Sequence, residues 1–211
     1  MLDVHAPEHT PHSLRDFFLH IFTITIGLLI ALGLEAAVEW QHHVHLRHEA
    51  DENILSEIRD NQREIAEVLG KIPGERQTLS TALAFLKAHA AGKDLDVKSI
   101  NLGMNFGSYW DASWQTANAT GALGYMEYAH VKRYSGVYTL QGQFTQIQTQ
   151  TLSAYLQIQS YVVAGEDPRQ LSMADTQKAN AEVRQTLTDL LAMEEVGQAL
   201  QKQYELVLKA E

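Results

Sequence analysis

The sequence predicts an all-α protein in which an N-terminal transmembrane helix is continuous with a four- or five-helix antiparallel bundle. An uncharged apolar run of about 18 residues lies near the start, most of the later chain repeats its apolar residues at helical spacing, and glycine and proline gather between those repeats. The implied organisation is a tail over residues 1–16, the membrane helix over 17–38 and a helical extramembrane domain over 39–211. With 211 residues in all, the part beyond the apolar run is long enough to bury one core.

The first element is FFLHIFTITIGLLIALGL, Phe17 to Leu34. At about 1.5 Å per residue it spans roughly 27 Å, close to the thickness of a bilayer core. It is apolar around its whole circumference, unlike the one-sided helix of a soluble core. Extension to Val38 brings in Glu35, suited to the interface, and Trp40 just beyond is placed as an interfacial anchor. A cleavable signal peptide would have a shorter apolar region behind a basic start; here Arg15 is the only fixed side-chain cation before the run. Arg15 and Arg47 nearly balance across the span, so orientation rests on the short tail and long following domain, which favour the N-terminus inside. In a bacterium this is an inner-membrane protein with a periplasmic domain. Gly27 and Ala31, like Gly33 and Ala37, are four residues apart and would let a second helix approach.

After Trp40, Ile58, Ile65 and Ile72 share one heptad position and Ile54, Asn61 and Val68 the other. That pattern fits one helix of a bundle or a coiled-coil stalk, running on from the membrane and stopping at Pro73-Gly74. A second helix is expected from Glu75 to about Ala91, on a face of Leu79, Ala82, Leu83, Leu86 and Ala90. Gly92 to Gly107 reads as a loop, YWDASWQTANAT as a short helix, and Gly121 and Gly124 as its punctuation. From Glu127 to about Val163 a long helix is expected on Val131, Tyr134, Tyr138, Phe144, Ile147, Leu152, Tyr155 and Ile158, although its Gln/Thr-rich part could mimic a strand. Glu166-Asp167-Pro168 opens the last helix, whose face is Val183, Leu187, Leu190, Leu191, Leu200 and Leu208.

The stretch DFFLHIFTITIGLLIALGLEAAVEW, the following ENILSEIRDNQREI and the later WQTANATGALGYMEYAHVKRYSGVYTL together resemble a group of uncharacterised bacterial single-pass membrane proteins. Those proteins have a glycine-containing N-terminal membrane helix, a charged helix with a central Asn, and a small-residue segment leading into a Tyr-containing helix. The resemblance covers under half of the chain. It implies a membrane-anchored helical protein and carries no activity or functional residues.

A net charge of −10 and no basic stripe exclude nucleic acid as the expected partner. The same acidity leaves apolar insertion, not a polybasic patch, as the route to the lipid bilayer. The absence of cysteine removes disulfides, thiol chemistry and cysteine-ligated metals. No phosphate loop, nucleophile elbow or H-E-x-x-H occurs, so no catalytic residue and no cofactor is expected.

Candidate metal ligands are His42, His45 and His48, within two helical turns, and Glu127 with His130, one of two Glu-x-x-His units; Glu39 with His42 is the other. Four histidines on one helix fan around its axis, which reads more readily as a solvated collar. Tyr109, Trp110 and Trp114 belong to the most aromatic part of the chain and could line a ligand pocket or fill the core. The expected function is a non-catalytic interaction module of the bacterial cell envelope, engaging a protein partner or its own copy through Gly27 and Ala31, through Ile58, or through Tyr109, Trp110 and Trp114. The alternative is a small-ligand-binding or metal-dependent enzyme domain using the His and Glu groups.

Overall fold

The computed structural model describes residues 13–93, 100, 102–161 and 167–210. Among these there is no strand, and the α-helices are α1 (Leu14–Ala90), α2 (Ala112–Ala119), α3 (Tyr128–Gln159) and α4 (Met173–Lys209), with 3-10 turns at Ala122–Tyr125 and Pro168–Gln170. The all-α expectation is met, with a long N-terminal helix followed by a helical domain. The chain divides into two units, residues 1–48 and 49–211. Most of the tail expected over residues 1–16, up to residue 12, lies outside the described residues, as do residues 94–99 and 101 of the expected loop and Glu166 of the expected turn.

In the first unit, α1 is long and apolar enough to cross a membrane, and none of its apolar window is buried by protein. The two threonines of this apolar stretch close their hydroxyls on the helix itself, Thr23 donating to the Leu19 carbonyl at 2.9 Å and Thr25 to that of Ile21 at 2.8 Å. No hydroxyl proton is then left to seek water, which suits a helix in a medium without hydrogen-bonding solvent.

The second unit is built on buried residues that alternate three and four apart on each long helix. On α1 they include Ile54, Ile58, Asn61, Ile65, Val68, Ile72, Glu75, Leu79, Ala82 and Leu86. On α3 they include Tyr134, Val137, Gln141, Phe144, Gln148, Thr151, Tyr155 and Ile158, and on α4 Thr176, Ala179, Val183, Thr186, Leu190, Met193, Gly197, Leu200, Tyr204 and Val207. This period keeps one stripe of each helix turned inward from turn to turn within this unit. Cross-links fix the directions. Asp51, Glu57 and Asn61 of α1 bond Tyr134, Tyr138 and Gln141 of α3 in ascending order, so these two helices run parallel. Within the expected bundle, α4 is the antiparallel member: Gln157 and Gln141 of α3 pair with Glu182 and Tyr204 of α4 in reversed order. Gly197 lets α4 approach closely, since a Cβ there would lie 2.8 Å from Leu69 Cδ2 and 2.9 Å from Phe144 Cε2.

Two sequence expectations are corrected. Pro73-Gly74 does not end a helix: α1 continues to Ala90 and absorbs the separate helix expected from Glu75. Proline removes one backbone donor at a cost of about 3 kcal/mol, but Pro73 faces solvent while Ile72, Glu75 and Leu79 on either side stay buried in register. The expected apolar faces of α3 and α4 are also only partly those observed. Ile147, Leu152 and Leu187 are half-buried and Leu191 is exposed, while Gln141, Gln148, Thr151, Thr176 and Thr186 lie inside.

The residues that punctuate the helices act as their types suggest. Gly121 adopts a left-handed φ of 75° after α2, and Ser172 caps α4 by accepting from the Asp175 N–H at 3.1 Å while donating its hydroxyl to the Asp175 carboxylate at 2.7 Å.

Candidate functional site

Parallel α1 and α3 require the chain to return along its own length between them, and the return is made by an extended strap leading into α2. The strap is anchored at successive points by side chains from both helices. At its start, the Asn105 N–H and side-chain amide both donate to Glu75 Oε1, at 2.6 and 2.8 Å. Gly107 donates to Gln148 Oε1 at 3.1 Å and accepts from Gln148 Nε2 at 2.9 Å, a closed amide pair. The Ser108 N–H donates to Glu64 at 3.3 Å. Trp110 forms a second closed pair, donating to Asn61 Oδ1 at 2.9 Å and accepting from Asn61 Nδ2 at 2.7 Å. The Ser113 N–H reaches Glu57 at 2.9 Å.

These bonds explain the polar residues of the core. Asn61 is 0% exposed, and a buried amide without partners costs about 1–3 kcal/mol for each group left open. Here its Nδ2 also donates to Gln141 Oε1 at 3.0 Å, Gln141 Nε2 donates to the Trp110 carbonyl at 3.0 Å, and the Tyr204 hydroxyl donates to Gln141 Oε1 at 2.7 Å. One layer thus joins α1, α3, α4 and the strap. Glu57 is closed by the Tyr138 hydroxyl at 2.6 Å. Burial first, then the hydrogen bond and charge of Glu57, hold the Tyr138 hydroxyl well above an ordinary phenol, so it stays a donor. Burial likewise raises Tyr204, Tyr109 and Tyr155.

Gly107 is needed at its position. A Cβ would fall 2.8 Å from Glu64 Cγ, from Glu64 Oε1 and from the Tyr109 hydroxyl. Tyr109 is half-buried with its ring edge-on to Phe144 at 5.4 Å, and Trp114 stacks on Tyr138 at 5.3 Å. The strap's other aromatics turn outward, Phe106 at 55% and Trp110 at 64% exposure. Of the three expected aromatic site residues, Trp110 is therefore surface, while Tyr109 and Trp114 serve mainly to seat the strap.

The remaining candidates are dispersed. Ile58 is fully buried within the chain and offers no contact surface. A Cβ added to Gly27 would meet nothing within 4 Å, and Ala31 is exposed beside it on the apolar helix. His42, His45 and His48 are exposed, and the neighbouring His43 lies 3.9 Å from Glu39. Glu127 and His130 pair only with each other among these candidates, at 3.8 Å. Among the described residues, no group of three or more His, Asp or Glu side chains is placed to hold a metal ion.

Sequence reasoning misses Glu57, Glu64, Glu75, Gln141 and Gln148 as strap anchors. Heptad spacing is the one signal that points to them, since Gln141 and Gln148 are seven apart on the stripe that carries Tyr134 and Tyr155. No protein-family model, curated protein or solved structure matches this chain.

Proposed function

We propose that the chain is a membrane-anchored, non-catalytic interaction module of the bacterial cell envelope. It crosses the inner membrane once, carries its helical domain on the periplasmic side, and engages a protein partner or its own copy. The observation that carries this reading is the strap. Polar side chains of α1 and α3, Glu75, Gln148, Glu64, Asn61 and Gln141 among them, bind its main chain, while its two largest outward side chains, Phe106 and Trp110, meet solvent. Fixing an irregular segment so thoroughly while leaving large aromatics uncovered is the arrangement of a pre-organised contact surface, because little conformational entropy remains to be lost on binding. Exposed aromatic anchors of this kind dominate binding energy at protein interfaces.

The test is site-specific photocrosslinking of the full chain in its native membrane. A photoreactive residue replacing Trp110 should give a discrete protein adduct, and one replacing Arg63 on the outward side of α1 should not. Equal or absent labelling at both positions would end the reading. Recovery of the chain in the soluble fraction would end its membrane part.

A further inference from the structure

From Tyr134 to Tyr161 the chain contains no Asp, Glu, Lys, Arg or His, in a protein with 20% charged residues. Nearly all of this run is α3, and the helix's outer face is exposed from Gly136 to Gln157. At 1.5 Å per residue that is a charge-free face roughly 30 Å long. The outward sides of the other two long helices are unlike it, with Arg59, Asp60, Arg63, Glu67 and Lys71 exposed on α1 and Lys178, Arg184, Glu195 and Lys202 exposed on α4. Solvent alone does not require a neutral face, whereas interface cores are depleted in charge.

We infer that the outer face of α3 is where a second copy of this chain docks. Two features of the face select a copy of itself over another partner. Each chain carries a net charge of −10, so two copies repel except where the touching surfaces are neutral. The centre of the face is Gln143, Gln146 and Gln150, all exposed and with no side-chain hydrogen bond among the described residues. A primary amide both donates and accepts, so it pairs with its own image, as a two-fold contact demands; a carboxylate or an ammonium does not. Thr145, Thr149 and Ser153 turn their hydroxyls back onto carbonyls of α3, at 2.9 to 3.0 Å, which leaves low, neutral shoulders beside the glutamines. Gly142 adds a place with nothing within 4 Å of a Cβ.

The inference rests on the membrane reading only in that both copies are held in one bilayer. A two-fold axis running along α3 brings each residue of its outer face opposite the same residue of the other copy. Gln146 then meets Gln146 of the other copy.

Because the chain has no cysteine, a single introduced thiol reports this contact cleanly in native membranes. Gln146→Cys should oxidise to a disulfide-linked dimer, and Arg63→Cys should not. Adding Gln143→Glu and Gln150→Glu to the Gln146→Cys chain should abolish the dimer band, and co-expressing that chain with one carrying Gln146→Cys, Gln143→Lys and Gln150→Lys should restore it as the mixed pair. Absence of the Gln146→Cys dimer from folded, membrane-embedded protein would overturn the inference, as would equal crosslinking at Arg63→Cys or indifference to the added carboxylates. A monomeric outcome alongside Trp110-specific photoadducts would sink only this inference and leave the proposed function standing.

Discussion

Two stretches of α1 treat polarity in opposite ways. Over residues 17–38 every large apolar side chain is exposed, Phe18, Phe22, Leu29 and Leu34 among them, and the few hydroxyls are closed on the helix. Over residues 50–86 the buried stripe mixes isoleucines with Glu57, Asn61 and Glu75. The first stretch has a surface that water would reject and the second a core that oil would reject. The difference lies in where hydrogen bonds come from. The first stretch satisfies its backbone and its threonine hydroxyls by itself, as a helix in lipid must. The second can bury carboxylates and amides because a strap of backbone is delivered to them, and a fully bonded buried polar group is stable where an open one is not.

That contrast can be broken from either side. The largest effect is expected at alkaline pH. Tyr109, Tyr138, Tyr155 and Tyr204, half of the eight tyrosines, are held by burial above the ordinary value of about 10. A folded-state pKa above the unfolded one gives stability that is intact below pH 10 and lost as the pH rises beyond it. These four tyrosines should therefore ionise together with unfolding of the domain, in one step in the 295 nm absorbance. Their independent titration near 10 with the domain still folded would contradict the buried assignments.

Replacing Asn61 by Ala strands the Trp110 N–H beneath the strap and removes donors from the Trp110 carbonyl and from Gln141. A loss of up to about 3 kcal/mol is expected, from roughly 1–3 kcal/mol for the one N–H left unpaired, since Gln141 still donates to the Trp110 carbonyl and Tyr204 to Gln141. Urea unfolding of the detergent-solubilised chain measures it, and a cost under about 1 kcal/mol would show that the strap is not held through this residue. In the first stretch, Leu28→Arg should disfavour insertion by about 3 kcal/mol, the translocon cost of a mid-membrane cation. Carbonate extraction of membranes would show it as a shift to the soluble fraction.

Gly197→Ala should cost about 2 kcal/mol, since the new methyl meets Leu69 and Phe144 below 3 Å and overpacked cores lose roughly 1–3 kcal/mol. Arg76→Ala, which breaks the Glu194 pair at 3.2 Å between partly exposed side chains, should cost under about 1 kcal/mol. A reversal of that order in thermal melts would mean that surface charge, and not close helix packing, decides how α4 is seated.

Much of this molecule can be read directly from local pattern. The apolar run declares itself because its requirement is local: about 20 residues without charge, whatever else the chain does. Much of the helical extent follows from periodicity and from punctuating residues such as Gly121, which act within a turn of their own position, although α4 starts not at Pro168 but five residues later, at Met173 behind the Ser172 cap. Pro73 misleads for the complementary reason. Its propensity is a local statement, and the burial of Ile72 and Leu79 that outweighs it is not.

The strap stays hidden in the sequence because its partners are far apart along the chain. Asn61 and Trp110 are 49 residues apart, Glu75 and Asn105 30, and Gly107 and Gln148 41, and a polar residue on a helical stripe looks like an interruption until the backbone group that answers it is in view. Sequence by itself determined that this is a helical chain with one segment suited to a bilayer, since both are properties of neighbouring residues. Tertiary structure decided that α1 and α3 run parallel, that the segment between them crosses back as a strap, and that glutamate, asparagine and glutamine belong inside. Hydrogen-bond satisfaction is a property of pairs, and pairs are made only when the chain folds.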